Sequence, residues 1–119
     1  MKKIKNLKID FVEFPVGNIE YFQKTKLFYS SVFNWKYQDW GEDYSDTSDS
    51  GIGSGINGDD SHKTKNPLVV IYVENIEEKR EEVIKHGGKL VKEIFSFPGG
   101  KRFHFTDPSG NELALWSDK

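Results

Sequence analysis

Two side chains occupy places where strand alternation aims a titratable group away from apolar neighbours. Glu13 lies between Val12 and Phe14, and His104 lies between Phe103 and Phe105. Successive strand residues point to opposite faces, so each apolar pair marks a packed face and the polar residue looks the other way. A carboxylate desolvated in such a place has its pKa raised, which makes Glu13 the first candidate for a base or a ligand anchor. His104 shares its face with Arg102 and Thr106. Exposure to solvent is the default for such a triplet, and a role in a site requires that this face turn inward. His62 falls in a polar linker and His86 at a helix end, where neither is placed for chemistry. There is no cysteine, and no serine stands in a nucleophile elbow, so a covalent triad has no footing.

Two further patterns fail on inspection. Gly51, Gly53 and Gly55 suggest a phosphate-cradling loop, but such loops lead into a helix, and here a polar linker follows. A close-packed glycine strand is the better reading. Residues 46–57 faintly resemble a calcium loop, yet the twelfth position is Asn57, where a bidentate glutamate is required.

The elements that position Glu13 and His104 come in two sets. The pentapeptide V-x-N-I-E occurs at Val16–Glu20 and again at Val73–Glu77, each time closing a strand-like run and opening a helix. The 57-residue offset is nearly half of the 119-residue chain, as a tandem duplication demands. In the first set, strand 9–16 precedes a helix over 19–33 capped by Asn18, with Ile19, Phe22, Phe28, Tyr29, Val32 and Phe33 as its apolar stripe. Strands at 35–40, 44–47 and 51–57 follow. In the second set, strand 68–73 precedes a helix capped by Asn75 and ended by Gly87-Gly88, then strands at 89–97, 102–106 and 112–116. The predicted fold class is α+β: a βαβββ module over residues 1–58, a linker over 59–66 and a second βαβββ module over 67–119. Modules this small bury only ~60% of their surface alone, so each needs the other.

Composition removes several classes of partner. Seventeen Lys and Arg are interleaved with nineteen Asp and Glu, so there is no basic face for nucleic acid. No apolar run reaches membrane-spanning length, and polar residues interrupt the basic opening of residues 1–8 before it could form a signal-peptide core. The lack of cysteine suits a reducing cytoplasm. The expected location is therefore cytoplasmic, with no nucleic acid or membrane partner.

Taken together, the two V-x-N-I-E corners, Phe28-Tyr29-Ser30-Ser31-Val32-Phe33-Asn34-Trp35, Gly87-Gly88 and Asp107-Pro108-Ser109-Gly110-Asn111 resemble the vicinal oxygen chelate superfamily of glyoxalases, bleomycin resistance proteins and extradiol dioxygenases. The resemblance implies modules whose mixed sheet curves into a cup with helices outside, and a homodimer. In catalytic relatives it implies a divalent metal held by His, Glu or Gln from the first and last strand of each module. The first-strand ligand positions fall seven residues before Asn18 and Asn75, on Phe11 and Leu68. The last-strand position of the second module falls on Ala114, and residues 51–57 hold no His, Glu or Gln. None of these groups binds a metal, so the expectation is no metal and no cofactor.

What the resemblance then leaves is a mostly apolar hollow lined by Phe11, Glu13, Leu68, Tyr72, Ala114 and Trp116, suited to a small aromatic or cationic organic ligand. Glu13 would be its polar anchor. The alternatives are a glyoxalase-type lyase or isomerase, or a dioxygenase-type enzyme, with non-standard metal ligands such as Glu13, His104 and Glu112, and a ligand-free dimeric interaction module.

Overall fold

The computed structural model describes residues 6–119. Residues 1–5 of the basic opening segment lie outside it. Each of its two units is built on four strands and one helix.

The first unit comprises residues 11–68. It contains β1 (Lys8–Pro15) from Phe11 onward, α1 (Phe22–Phe33), β2 (Gln38–Asp39), β3 (Tyr44–Thr47) and β4 (Gly53–Asn57). The strand order is β2-β3-β4-β1, with β1 parallel to β4 and the other neighbours antiparallel. Asn18 accepts from the backbone N–H of Glu20 and starts a short 3-10 turn ahead of α1. Asn34, at φ 62°, ends the helix in the left-handed conformation that asparagine tolerates. Phe22 packs on Val16 and Ile56, with Tyr29 and Tyr37 against them, which marks the helix-covered face of this sheet. The expected apolar stripe is only partly used. Phe28, Val32 and Phe33 stay more than half exposed, because the stripe is wider than the strip of sheet that one helix can cover. The predicted strand at 35–40 shrinks to Gln38–Asp39.

The second unit comprises residues 69–119 with residues up to Asp10. Its elements are β5 (Leu68–Tyr72) from Val69 onward, α2 (Ile76–Lys85), β6 (Lys89–Phe97), β7 (Gly100–Thr106) and β8 (Glu112–Ser117). The order β5-β8-β7-β6 repeats the first unit's pattern, with the parallel pair β5/β8 followed by two antiparallel neighbours. Asn75 accepts from the Glu78 N–H, acids open α2 and Lys85 closes it, as the helix dipole favours. Gly87, at φ 99°, supplies the left-handed residue after it. Val73, Ile76, Phe103 and Leu115 form the core beneath α2. Residues 6–10 are tied in by the Leu7 N–H to the Tyr72 carbonyl, and by Asn6, which accepts from the Glu74 N–H.

The edge strand β6 is irregular. Leu90 pairs with Phe105, Lys92 with His104 and Phe95 with Arg102, so register shifts fall on both sides of Lys92. Such bulges re-aim side chains. Here they turn Lys92 onto the face opposite the helix, while Leu90 and Ile94 remain packed on the α2 core. The Lys92 ammonium accordingly sits 5.6 Å from the centre of the Phe95 ring.

Candidate functional site

In each unit, alternation and register sort the candidate residues onto the sheet face that carries no helix. In the first unit Phe11 pairs with Gly53, Glu13 with Gly55 and Tyr44 with Asn57, whereas Phe14 and Ile56 face α1. Glu13 is only 2% exposed. One carboxylate oxygen accepts from Asn57 Nδ2 at 2.9 Å and the other from the Tyr44 hydroxyl at 2.8 Å. Glu13 is thus not the solvated rim carboxylate that is the commoner fate of a strand glutamate. Tyr44 and Asn57 were not expected as partners of Glu13, although both fall on the residue parity that the strand register requires.

The glycine strand explains how this cluster fits. A Cβ on Gly55 would stand 2.6 Å from the Tyr44 hydroxyl oxygen and 3.0 Å from the Phe11 ring. Only a glycine leaves space for both aromatic side chains.

In the second unit Val70 pairs with Ala114, Tyr72 with Trp116, His104 with Ala114 and Arg102 with Trp116. Phe103 and Leu115 take the α2 side, so these residues occupy the other. Tyr72 and Trp116 meet edge to face at 5.1 Å, and Trp116 Nε1 donates to both oxygens of Asp10 at 3.1 and 3.2 Å. The Tyr72 hydroxyl donates to Asp118, which pushes the phenol up to about 12. Ala114 is fully buried among these groups, and Leu68 is buried at the start of β5. No pattern could have found Asp10, which has the other parity from Phe11 and Glu13 and is 106 residues from Trp116.

His104 overturns the expectation of an exposed strand histidine, because it is 1% exposed. The same alternation that aims it away from Phe103 and Phe105 puts it beside Phe95, at 6.1 Å between rings. Nδ1 lies 2.9 Å from Glu112 Oε2. A carboxylate only accepts, so Nδ1 carries the proton and Nε2 is left with its lone pair. Nε2 is buried and has no hydrogen-bond partner among the described residues. Burial holds the imidazole pKa below the usual histidine range, aided by Arg102 and Lys92 and opposed by Glu112.

These groups do not fit a divalent metal. Among the described residues no group of three or more His, Cys, Asp or Glu is placed to hold one, and that includes Glu13, His104 and Glu112. At the positions that the motif resemblance gives to metal donors, Ala114 offers a methyl group, Phe11 a ring and Leu68 an isobutyl group. Nor is any helix among the described residues long and apolar enough to cross a membrane.

Solved structures share the architecture. A structure titled NAD-dependent benzaldehyde dehydrogenase from Legionella pneumophila superposes with a TM-score of 0.73 at 15% identity, covering 92% of this chain and 98% of that one. A glyoxalase/bleomycin resistance protein/dioxygenase superfamily member from Vibrio splendidus gives 0.71 at 14%, covering 94% and 99%. The Mn(II)-bound glyoxalase from Novosphingobium aromaticivorans gives 0.68 at 20%, covering 95% of this chain but 39% of that longer one. At these identities the likeness shows the fold alone. No curated protein sequence matches the chain. The family model of the Glyoxalase/Bleomycin resistance protein/Dioxygenase superfamily matches residues 8–115, and with two βαβββ modules in tandem the chain belongs to that superfamily.

Proposed function

We propose that this protein binds a small planar organic molecule without a metal ion, on the sheet faces that carry no helix. The observation that carries the reading is the surroundings of Ala114. A methyl group stands where catalytic members of the superfamily place a metal donor, opposite a His104 whose Nδ1 is engaged by Glu112. Around it Tyr72 and Trp116 offer aromatic surface that gives large contact area at little rotamer cost. In the first unit Phe11 and Glu13 stand on that unit's own helix-free face, where Tyr44 and Asn57 hold the Glu13 carboxylate in one orientation as a polar anchor.

Two measurements test the reading together. Protein purified without chelator, titrated with zinc, nickel or manganese, is expected to hold no stoichiometric metal and to keep its melting temperature. A thermal-shift screen of aromatic and cationic compounds is expected to yield stabilising ligands, since a ligand at 100 times its Kd adds ~2.7 kcal/mol. Trp116→Ala should abolish that shift. A metal-dependent rise in melting temperature with one ion per chain would replace the binder with a metal enzyme.

The exposed apolar side chains of α1 support a homodimer as part of the same proposal. Leu27, Phe28, Val32 and Phe33 are each more than half exposed on this one helix, apolar surface of the kind that contact between copies covers.

A further inference from the structure

We infer that His104 Nε2 is the hydrogen-bond acceptor of the ligand site and selects planar ligands that carry an O–H or N–H donor. This rests on the binding reading above and adds the polarity of the ligand to it. Three observations around His104 carry it. Glu112 fixes the tautomer by engaging Nδ1, so the lone pair of Nε2 is the group that faces away from it. Nε2 is buried and unpartnered among the described residues. A buried acceptor with no protein partner is costly to leave unmade, and a ligand donor recovers that cost.

The third observation concerns what covers the ring. Phe95 stands 6.1 Å from it on the edge strand β6, beside a register shift, and Lys92, between the two shifts, pairs with His104 and reaches over the Phe95 ring. An edge strand interrupted in this way holds its cover by fewer ladder hydrogen bonds than a regular strand, so Phe95 is the side chain that moves when a flat ring enters. The guanidinium of Arg102, 5.7 Å from the same Phe95 ring, favours a donor that is itself weakly acidic, such as a phenolic hydroxyl.

The test compares a naphthol with its methyl ether, two rings of nearly equal shape that differ by one donor. In protein labelled with nitrogen-15 at histidine, the Nε2 resonance of His104 is expected to shift with the naphthol and not with the ether. The naphthol should bind roughly tenfold more tightly, the equivalent of one net hydrogen bond. His104→Phe should erase that preference while the ether still binds. If that variant does not fold, the resonance of the unaltered protein decides alone. Equal binding of both compounds with Nε2 unmoved overturns the inference and leaves the binding reading standing. Failure of both compounds to bind overturns the inference, while the wider screen still decides the binding reading.

Discussion

Ala114 stands directly across the β7/β8 ladder from His104, in register and on the same face of the sheet. The small side chain opens the space into which the imidazole is packed. A metal-binding donor at position 114 would have given an ion a second ligand beside the open Nε2 lone pair, with Glu112 orienting the ring from Nδ1. With a methyl group there, His104 and Glu112 form a pair of one donor and one acceptor.

The pair makes stability depend on pH in a defined window. Burial lowers the folded-state pKa of His104 below its ordinary 6.5, so the unfolded chain takes up a proton first as the pH falls. Stability from this group is complete above about pH 6.5 and is lost below it, at no more than ~1.4 kcal/mol per pH unit, until the folded state also protonates. The surface carboxylates Asp39, Glu77, Glu82, Glu93 and Asp107 are all lowered by partners and lose their contribution only below their ordinary 3.8 to 4.5. Urea unfolding between pH 7 and 5 should therefore show a decline that His104→Phe flattens. Glu112 is about a third exposed and can turn to water in that variant, which keeps the comparison clean. An unchanged slope would mean that His104 is not desolvated.

What the sequence made legible was periodicity. The repeated V-x-N-I-E corner located both helices, and alternation around Glu13 put its carboxylate on the face away from α1. Partners were illegible wherever they came from another strand, because a single strand says which face a residue takes but not who stands opposite. Tyr44 and Asn57 reach Glu13 through the β3/β4/β1 register, and His104 reaches Glu112 through β7/β8. Lys92 was illegible for a second reason. Unbroken alternation from Leu90 would leave it on the α2 side, and only the bulges turn it over. His104 itself looked solvent-facing because a polar triplet with arginine and threonine has the composition of an outer strand face.

The Glu13–Tyr44 hydrogen bond is measurable by a double-mutant cycle. Tyr44→Phe removes one donor from a buried carboxylate and should cost about 1 kcal/mol. Glu13→Gln places an amide N–H₂ against one of two existing donors, Asn57 or Tyr44, and should cost about 1–3 kcal/mol. The two changes together should cost less than their sum, with a coupling of at least ~0.5 kcal/mol by chemical denaturation. Strict additivity would mean that the two side chains do not interact in solution.

The proposed self-association through α1 makes a separate prediction. Leu27→Lys and Val32→Lys, each on an exposed position, should convert a dimer to a monomer in sedimentation experiments. Neither side chain is buried in its own unit, so thermal stability measured at low protein concentration should stay within about 0.5 kcal/mol of the parent. Unaltered sedimentation in both variants would remove α1 from the interface.

Gly55→Ala tests whether the missing side chain is what admits the Tyr44 hydroxyl. At this residue the backbone has no left-handed strain, so alanine should by itself be mildly favourable, through a less flexible unfolded chain, by about 0.4–1 kcal/mol. The new methyl group, however, would stand 2.6 Å from the Tyr44 hydroxyl oxygen and 3.0 Å from its ring carbon. Tyr44 cannot retreat without releasing Glu13, so the crowding and the lost hydrogen bond should outweigh the gain and leave a net cost of about 1–3 kcal/mol. In a Tyr44→Ala background the nearest of the remaining contacts is the Phe11 ring at 3.0 Å, which a small rotation relieves, and the cost of the same substitution should fall close to zero. The sign and size of that difference, read from urea midpoints of the four proteins, separate a glycine kept for space from one kept for backbone freedom. An equal penalty in both backgrounds would assign Gly55 to the backbone and detach it from the Glu13 cluster.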